Sequence, residues 1–202
     1  MEIKTILNEQ RIFAVFNQVP ILRESEVLLF EELIDLYKPN RVLEVGTAIG
    51  YSTLLIAKNM ARDGEVVSIE LDELRHNKAK EYISNSKYAN AITLLHGDAN
   101  ELVNVVEGPF DMVFLDGPKG QYLRQLEALL TKLADGAVIL ADNVLFRGYV
   151  RGTKVPPQRF KTITKRLQEY LHFVENKELF NTTIYPLGDG MSISVWKGKQ
   201  NE

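Results

Sequence analysis

Between Val42 and Ser52 the chain reads Val-Leu-Glu-Val-Gly-Thr-Ala-Ile-Gly-Tyr-Ser, and no other segment limits the fold as strongly. An apolar run containing Val42, Leu43 and Val45 stops at Gly46, and an apolar helical pattern (Leu54, Leu55, Ile56, Ala57) follows Gly50. This is the pattern of a buried parallel strand entering a helix through a tight turn. Glycines let the backbone turn sharply and approach a ligand, and a helix start offers N–H groups without intrahelical partners. The dinucleotide turn Gly-x-Gly-x-x-Gly is absent; instead Glu44 stands two positions before Gly46. Glu44-x-Gly46-x-x-x-Gly50-x-Ser52 suits a cationic ligand better than a pyrophosphate. S-adenosylmethionine, which carries a sulfonium and an ammonium, is the leading candidate.

Strand-like runs at 41–45, 65–70, 91–96, 111–115 and 137–141 alternate with helical patterns at 52–62, 72–84, 100–106 and 122–133. Alternation at this spacing predicts βαβ units and a doubly wound, mostly parallel sheet covered on both faces. Runs at 182–186 and 191–196, joined through Leu187-Gly188-Asp189-Gly190, predict a terminal antiparallel hairpin, bringing the strands to seven. Helices are expected at 4–17 and 23–37, divided at Pro20 and lying as a lid over the rest. The 202 residues fit a single domain. A net charge of −3 gives no global attraction to nucleic acid or membrane, so such contacts must come from a local patch. The absence of cysteine excludes disulfides, thiolate metal sites and cysteine nucleophiles. With no basic-then-apolar leader pattern and no membrane-length apolar run, a cytoplasmic protein without membrane contact is expected.

In such a sheet, ligands bind beyond the carboxyl ends of the strands, where acidic residues gather. Glu70 ends the second strand and can accept hydrogen bonds from ribose hydroxyls; Asp98, next to Ala99, follows the third and suits either an adenine amino group or a helix N-cap. Asp116 ends the fourth strand, and Asp142-Asn143 ends the fifth. Two carboxylates and an amide oxygen are the hard donors that Mg²⁺ or Mn²⁺ takes, whereas zinc would want thiolates or paired histidines. Lys119, three residues beyond Asp116, sits against the helix dipole; beside a cation its pKa would fall enough for it to accept a proton, the alternative being a solvated side chain. His76, His96 and His172 show no ligand spacing and are expected to be structural or surface residues; Trp196 is expected in the core or in a dimer contact.

These residues together resemble the cation-dependent O-methyltransferases of the catechol and caffeoyl-CoA type, over about residues 20–195. Within that family several strings are similar to bacterial tRNA 5-hydroxyuridine methyltransferases: Gly46-Thr-Ala-Ile-Gly-Tyr-Ser52, Lys119-Gly-Gln-Tyr122, Asp142-Asn-Val-Leu-Phe146 and Gly188-Asp-Gly190. The resemblance implies a class I, Rossmann-like methyltransferase fold and a homodimer. By position it implies cofactor contacts at Leu22, Ser52, Glu70, Asp98, Ala99 and Asp116, beside the loop residues Glu44 and Gly46. It implies metal ligands at Asp116, Asp142 and Asn143, and a catalytic lysine at Lys119. Gly117-Pro118 departs from the small non-proline residues usual there, and Pro118 fixes φ just before Lys119.

A metal with open positions selects an acceptor carrying two adjacent oxygens and lowers the pKa of the hydroxyl among them. Catechol and 5-hydroxyuridine both qualify. The segment 147–168 carries Arg147, Arg151, Lys154, Arg159, Lys161, Lys165 and Arg166 with no acidic residue, as expected of a phosphate-binding surface for a tRNA anticodon loop. Phe146 and Tyr149 would stack on an exposed base. A solvated basic helix face is the plainer reading, and a small catechol-type acceptor the alternative substrate.

Overall fold

The computed structural model describes residues 1–198, and the chain divides into two compact units, Met1–Ala99 and the part from Asn100 onward. Its seven strands form one sheet ending in an antiparallel hairpin, the Rossmann-like α/β fold that the alternating runs predict.

The first unit holds α1 (Ile3–Asn17), α2 (Glu24–Tyr37), β1 (Arg41–Val45), α3 (Tyr51–Asn59), β2 (Glu65–Glu70), α4 (Glu73–Ser84) and β3 (Ile92–His96). Its strands run parallel in the order β3-β2-β1, with Leu43 opposite Val67 and Glu70 opposite His96. Four consecutive buried residues in β1 are what a parallel strand between two helical layers requires. Helix α3 is buried from Tyr51 through Ala57, which explains its lack of a polar face. Helix α1 packs through Ile6 and Ala14 into a cluster with Ile49, Leu54, Ala79, Tyr82 and Ile83.

The second unit contains α5 (Ala99–Val105, beginning at the last residue of the first unit), β4 (Phe110–Leu115), α6 (Tyr122–Leu129), β5 (Leu133–Ala141), α7 (Lys161–Val174), β6 (Phe180–Tyr185) and β7 (Met191–Trp196). Its strand order is β4-β5-β7-β6, with β4 and β5 parallel and the last three antiparallel. Trp196 is core, its ring 5.0 Å from that of Phe180.

Every element expected from the sequence is present, most with boundaries within a residue or two, whereas helix α7 is not among those expected. The larger departures have local causes. Strand β5 begins at Leu133, four residues before the apolar run: Leu133 pairs with Phe110, and a register shift between Phe110 and Met112 takes up Ala134, Asp135 and Gly136, which lack the strand pattern. The helix expected over 122–133 stops at Leu129, and a 3₁₀ turn takes Leu130–Lys132. There the Lys132 ammonium donates to the carbonyls of Val103, Asn104 and Val106, at 2.7–2.8 Å, closing the end of α5. Helix α7 lies within the basic segment and beyond it; its buried stripe (Thr164, Leu167, Tyr170, Leu171, Val174) has helical spacing that the charge density hides. Among the described residues no helix is long and apolar enough to cross a membrane.

Candidate active site

In the first unit the glycine turn rests on two carboxylates. Glu44, with no exposed surface, accepts hydrogen bonds from the hydroxyls of Ser52, Thr53 and Ser68, each 2.5 Å long. Thr47 joins this network through Ser68 at 2.6 Å. Burial pushes the Glu44 carboxyl above the ordinary range, while the three hydroxyls pull it down and the charge of Glu70 adds to the rise. Sequence reasoning expected Glu44 to lie open to a cation; the structure places it beneath the turn, tying β1 to α3 and β2. Its partners in sequence, Ser52, Thr53 and Ser68, carried that signal in their hydroxyls.

Glu70 lies beside the same turn. One oxygen accepts the Ala48 N–H at 2.7 Å and the other the Asp72 N–H at 2.9 Å. Ala48 has φ +48°, a left-handed conformation that costs a residue with a Cβ about 1–2 kcal/mol, and the Glu70 bond offsets part of that cost. Asp72 caps α4 by accepting from the Arg75 N–H at 2.9 Å, so Glu70 is not needed there. Gly50 opens α3 at φ +81°, where an added Cβ would stand 3.1 Å from Ile83 Cδ1. Helix α1 grips the turn from outside: Gln10 donates to the Ile49 carbonyl at 2.8 Å and Arg11 Nε to the Tyr51 hydroxyl at 2.7 Å. Beside it a cavity of about 540 Å³ is lined by Arg11, Pro20, Leu22 and Glu24 among others. Ser52 and Ala99 are buried, and Asp98 is exposed.

In the second unit Asp116 and Asp142 directly follow Leu115 and Ala141, which are register partners in β4 and β5. The Asp142 N–H also bonds the Leu115 carbonyl at 3.1 Å. Asn143 adopts φ +56° and its N–H reaches Asp142 Oδ1 at 2.6 Å. Lys119 lies in the turn before α6 with Nζ 3.9 Å from Asp116 Oδ1, both side chains about one-fifth exposed. Tyr122, fully buried, donates its hydroxyl to the Asp142 carbonyl at 3.1 Å. Burial, then the charges of Asp116 and Asp142, raise its phenol well above the ordinary range. The donor types suit a hard divalent cation: two carboxylates and an amide at the ends of paired strands, where water and substrate would complete the shell. Among the described residues no group of three or more His, Asp or Glu is placed to hold a metal.

The basic segment is less available for phosphate than its sequence implies. Arg151 pairs with Glu175 through both Nη atoms, and Arg166 and Lys165 pair with Glu169 at 3.1 and 3.9 Å. Arg147 lies 5.3 Å and Arg159 4.7 Å from the centre of the Phe160 ring, which packs edge-on against Phe146 at 5.3 Å. Tyr149 completes this aromatic cluster, and Lys154 and Lys161 are exposed. Two of the histidines meet: the His76 and His96 rings lie 5.2 Å apart beside the end of β2. Their spacing, across α4 and β3, has no local sequence signature.

Comparison with known proteins is consistent with this geometry. The family model described as O-methyltransferase matches residues 2–197. The tapetum-specific methyltransferase 1 of Arabidopsis thaliana is 24% identical over 174 residues, covering 84% of this chain and 75% of that protein. A catechol O-methyltransferase of Niastella koreensis is 31% identical over 122 residues, 58% of this chain and 55% of that one. Among solved structures, an O-methyltransferase from Bacillus cereus in complex with SAH superposes with a TM-score of 0.84 at 22% identity, covering 96% of this chain and 91% of the other.

Proposed function

The chain belongs to the O-methyltransferase family, and from that premise we propose that it transfers a methyl group from S-adenosylmethionine to a hydroxyl held on a divalent cation. The observation that carries this reading is the seating of Asp116 and Asp142-Asn143 directly after register partners, with Lys119 3.9 Å from Asp116. The SAH held by the Bacillus cereus relative is the product left when S-adenosylmethionine gives up its methyl group, which supports the choice of cofactor.

The first unit supplies the cofactor-side residues. Glu70 receives the ribose hydroxyls on the lone pairs that Ala48 and Asp72 do not use, and Leu22, Gly46, Ser52, Asp98 and Ala99 contact the remainder. Glu44 keeps Ser52 and the turn in place from below. The second unit supplies the acceptor side: Asp116, Asp142 and Asn143 are the metal ligands. Bound Mg²⁺ or Mn²⁺ supplies a lowered pKa for the acceptor hydroxyl and a fixed position for two adjacent oxygens. Lys119 takes the proton or steers the hydroxyl. Much of the acceleration is positioning of the oxygen in line with the methyl group.

The acceptor carries two adjacent oxygens, as a small catechol does. A second reading, 5-hydroxyuridine at the wobble position of a tRNA anticodon loop, is favoured by the Phe146–Tyr149–Phe160 cluster with Arg147, which immediately follows the Asp142-Asn143 turn. The ion pairs of Arg151, Lys165 and Arg166 count against it. The test is kcat/KM for catechol and for hydroxyuridine-containing tRNA at low and moderate salt, with and without EDTA. EDTA should abolish both reactions. A strong fall with salt for tRNA alone, deepened by charge reversal of Lys154 and Lys161, selects RNA. Preferred turnover of catechol, with charge reversals inert, selects the small molecule. Undiminished transfer in EDTA sinks the metal mechanism.

A further inference from the structure

We infer that Tyr122 is the positioning residue for the Asp142-Asn143 pair, holding in place the single peptide unit from which both side chains project. The inference rests on the reading that these two residues hold the cation. The carbonyl oxygen of Asp142 and the N–H of Asn143 belong to the same rigid amide plane. Its oxygen is gripped by the Tyr122 hydroxyl at 3.1 Å, and its N–H by Asp142 Oδ1 at 2.6 Å. A plane held at both edges cannot rotate, and its orientation sets ψ of Asp142 and φ of Asn143, hence the direction in which each donor leaves the chain.

The rest of the turn leaves this peptide as the place where slack would collect. Immediately after it, the Val144 and Leu145 N–H groups bond the Gly190 and Asp189 carbonyls at 2.9 and 2.8 Å, anchoring that stretch to the β6–β7 hairpin. Gly190 is held so close that a Cβ there would meet Leu145 Cγ at 2.4 Å. Before it, the Asp142 N–H is fixed to Leu115. Between those anchors Asn143 holds φ +56°, a conformation that asparagine tolerates but does not prefer. Without the Tyr122 bond the peptide can flip, carrying Asn143 out of the left-handed region and its amide oxygen away from the donor set.

Tyr122 suits this task. It is fully buried, its ring packs edge-on to Tyr170 at 5.6 Å, and it opens α6 just after the turn that carries Lys119. One side chain therefore ties the helix that follows the Lys119 turn to the carbonyl between the two proposed metal donors. Its hydroxyl is the donor in this bond, and the Asp142 carbonyl the acceptor.

The test is Mn²⁺ titration by calorimetry on the wild-type protein, Tyr122→Phe, Tyr170→Phe and Leu126→Ala. Tyr122→Phe keeps the ring and loses only the donor. Its Mn²⁺ dissociation constant should rise about three- to tenfold, as expected for one buried hydrogen bond. Excess Mn²⁺ should restore its kcat, and its KM for S-adenosylmethionine should stay unchanged. Tyr170→Phe and Leu126→Ala disturb the same packing without touching the peptide, and should lower the melting temperature with Mn²⁺ affinity intact. Equal Mn²⁺ affinity in Tyr122→Phe and wild type overturns the inference, as does an equal weakening in Leu126→Ala, which would reduce the effect to general stability. A wild-type protein that binds no Mn²⁺ overturns the metal reading itself, and the inference with it.

Discussion

The two units place acidic residues at strand ends in the same way and then use them differently. In the first unit Glu44 and Glu70 are buried, and the five hydrogen bonds they accept come from the chain's own hydroxyls and backbone N–H groups. In the second, Asp116 is partly exposed opposite Lys119, and Asp142 accepts the N–H of its own neighbour. The first pair stabilises a backbone shape to which a ligand then fits. The second, on the proposed reading, offers its oxygens to a cation. A carboxylate at the end of a parallel strand is therefore not a function in itself; what the adjacent residues donate to it decides whether it supports the fold or meets the ligand.

That contrast can be broken from either side. The largest expected effect is on the acceptor side: Asp142→Ala should reduce kcat by about a hundred- to a thousandfold while the far-ultraviolet circular dichroism stays that of the wild type. Full turnover with a chelator-insensitive rate would erase the distinction between the units.

Next in size, Glu44→Ala should act on stability. It strips the shared acceptor from three buried hydroxyls, at about 3 kcal/mol in urea unfolding. Glu44→Gln sharpens the same point through pH. Because the folded pKa is raised, the unfolded chain releases this proton first as pH climbs. The wild type should thus lose stability relative to Glu44→Gln as pH rises from the ordinary carboxylate range through the raised folded value, and the gap should be flat below it. A gap that widens in acid instead would mean that Glu44 is stabilised as a carboxylate.

The smallest effect is expected for Glu70→Ala, which straddles both roles. Loss of a charge-assisted hydrogen-bonding pair should weaken S-adenosylmethionine binding about ten- to a hundredfold, or about 1.5–3 kcal/mol. An unchanged dissociation constant with a lowered melting temperature would assign Glu70 to the supporting class with Glu44.

The alternation of strands and helices, the glycine turn and the succession Asp116, Asp142-Asn143 were legible because burial imposes periodicity and parallel strands deliver their ends to one edge. Strand ends followed the apolar runs closely in β1 and β2. The polar geometry was not legible in the same way. Glu175 lies 24 residues from Arg151, and the distance from Glu169 to the basic residues it neutralises matters only once α7 is formed. His76 and His96 meet because α4 packs where β3 ends. The hydroxyls under Glu44 come from the adjacent Ser52 and Thr53 and from Ser68 on the neighbouring strand, so the nearby pair offers partners while no local string marks the glutamate as enclosed. Apolar spacing records which side of an element is covered, whereas hydrogen-bond partners depend on register and turn geometry that spacing does not encode.

The clamp of α1 on the glycine turn also orders events during synthesis. Fifteen residues in isolation make a marginal helix, and α1 carries Ile6 and Ala14 that find cover only against residues as far along as Ile83. Gln10 and Arg11 must wait for Ile49 and Tyr51, 39 and 40 positions later. Every one of these partners is synthesised before Asp116 is added to the chain. The cofactor-side turn can be closed and held while the acceptor side is still unmade, so a nascent chain arrested between the two would be expected to resist proteolysis around Gly46–Gly50.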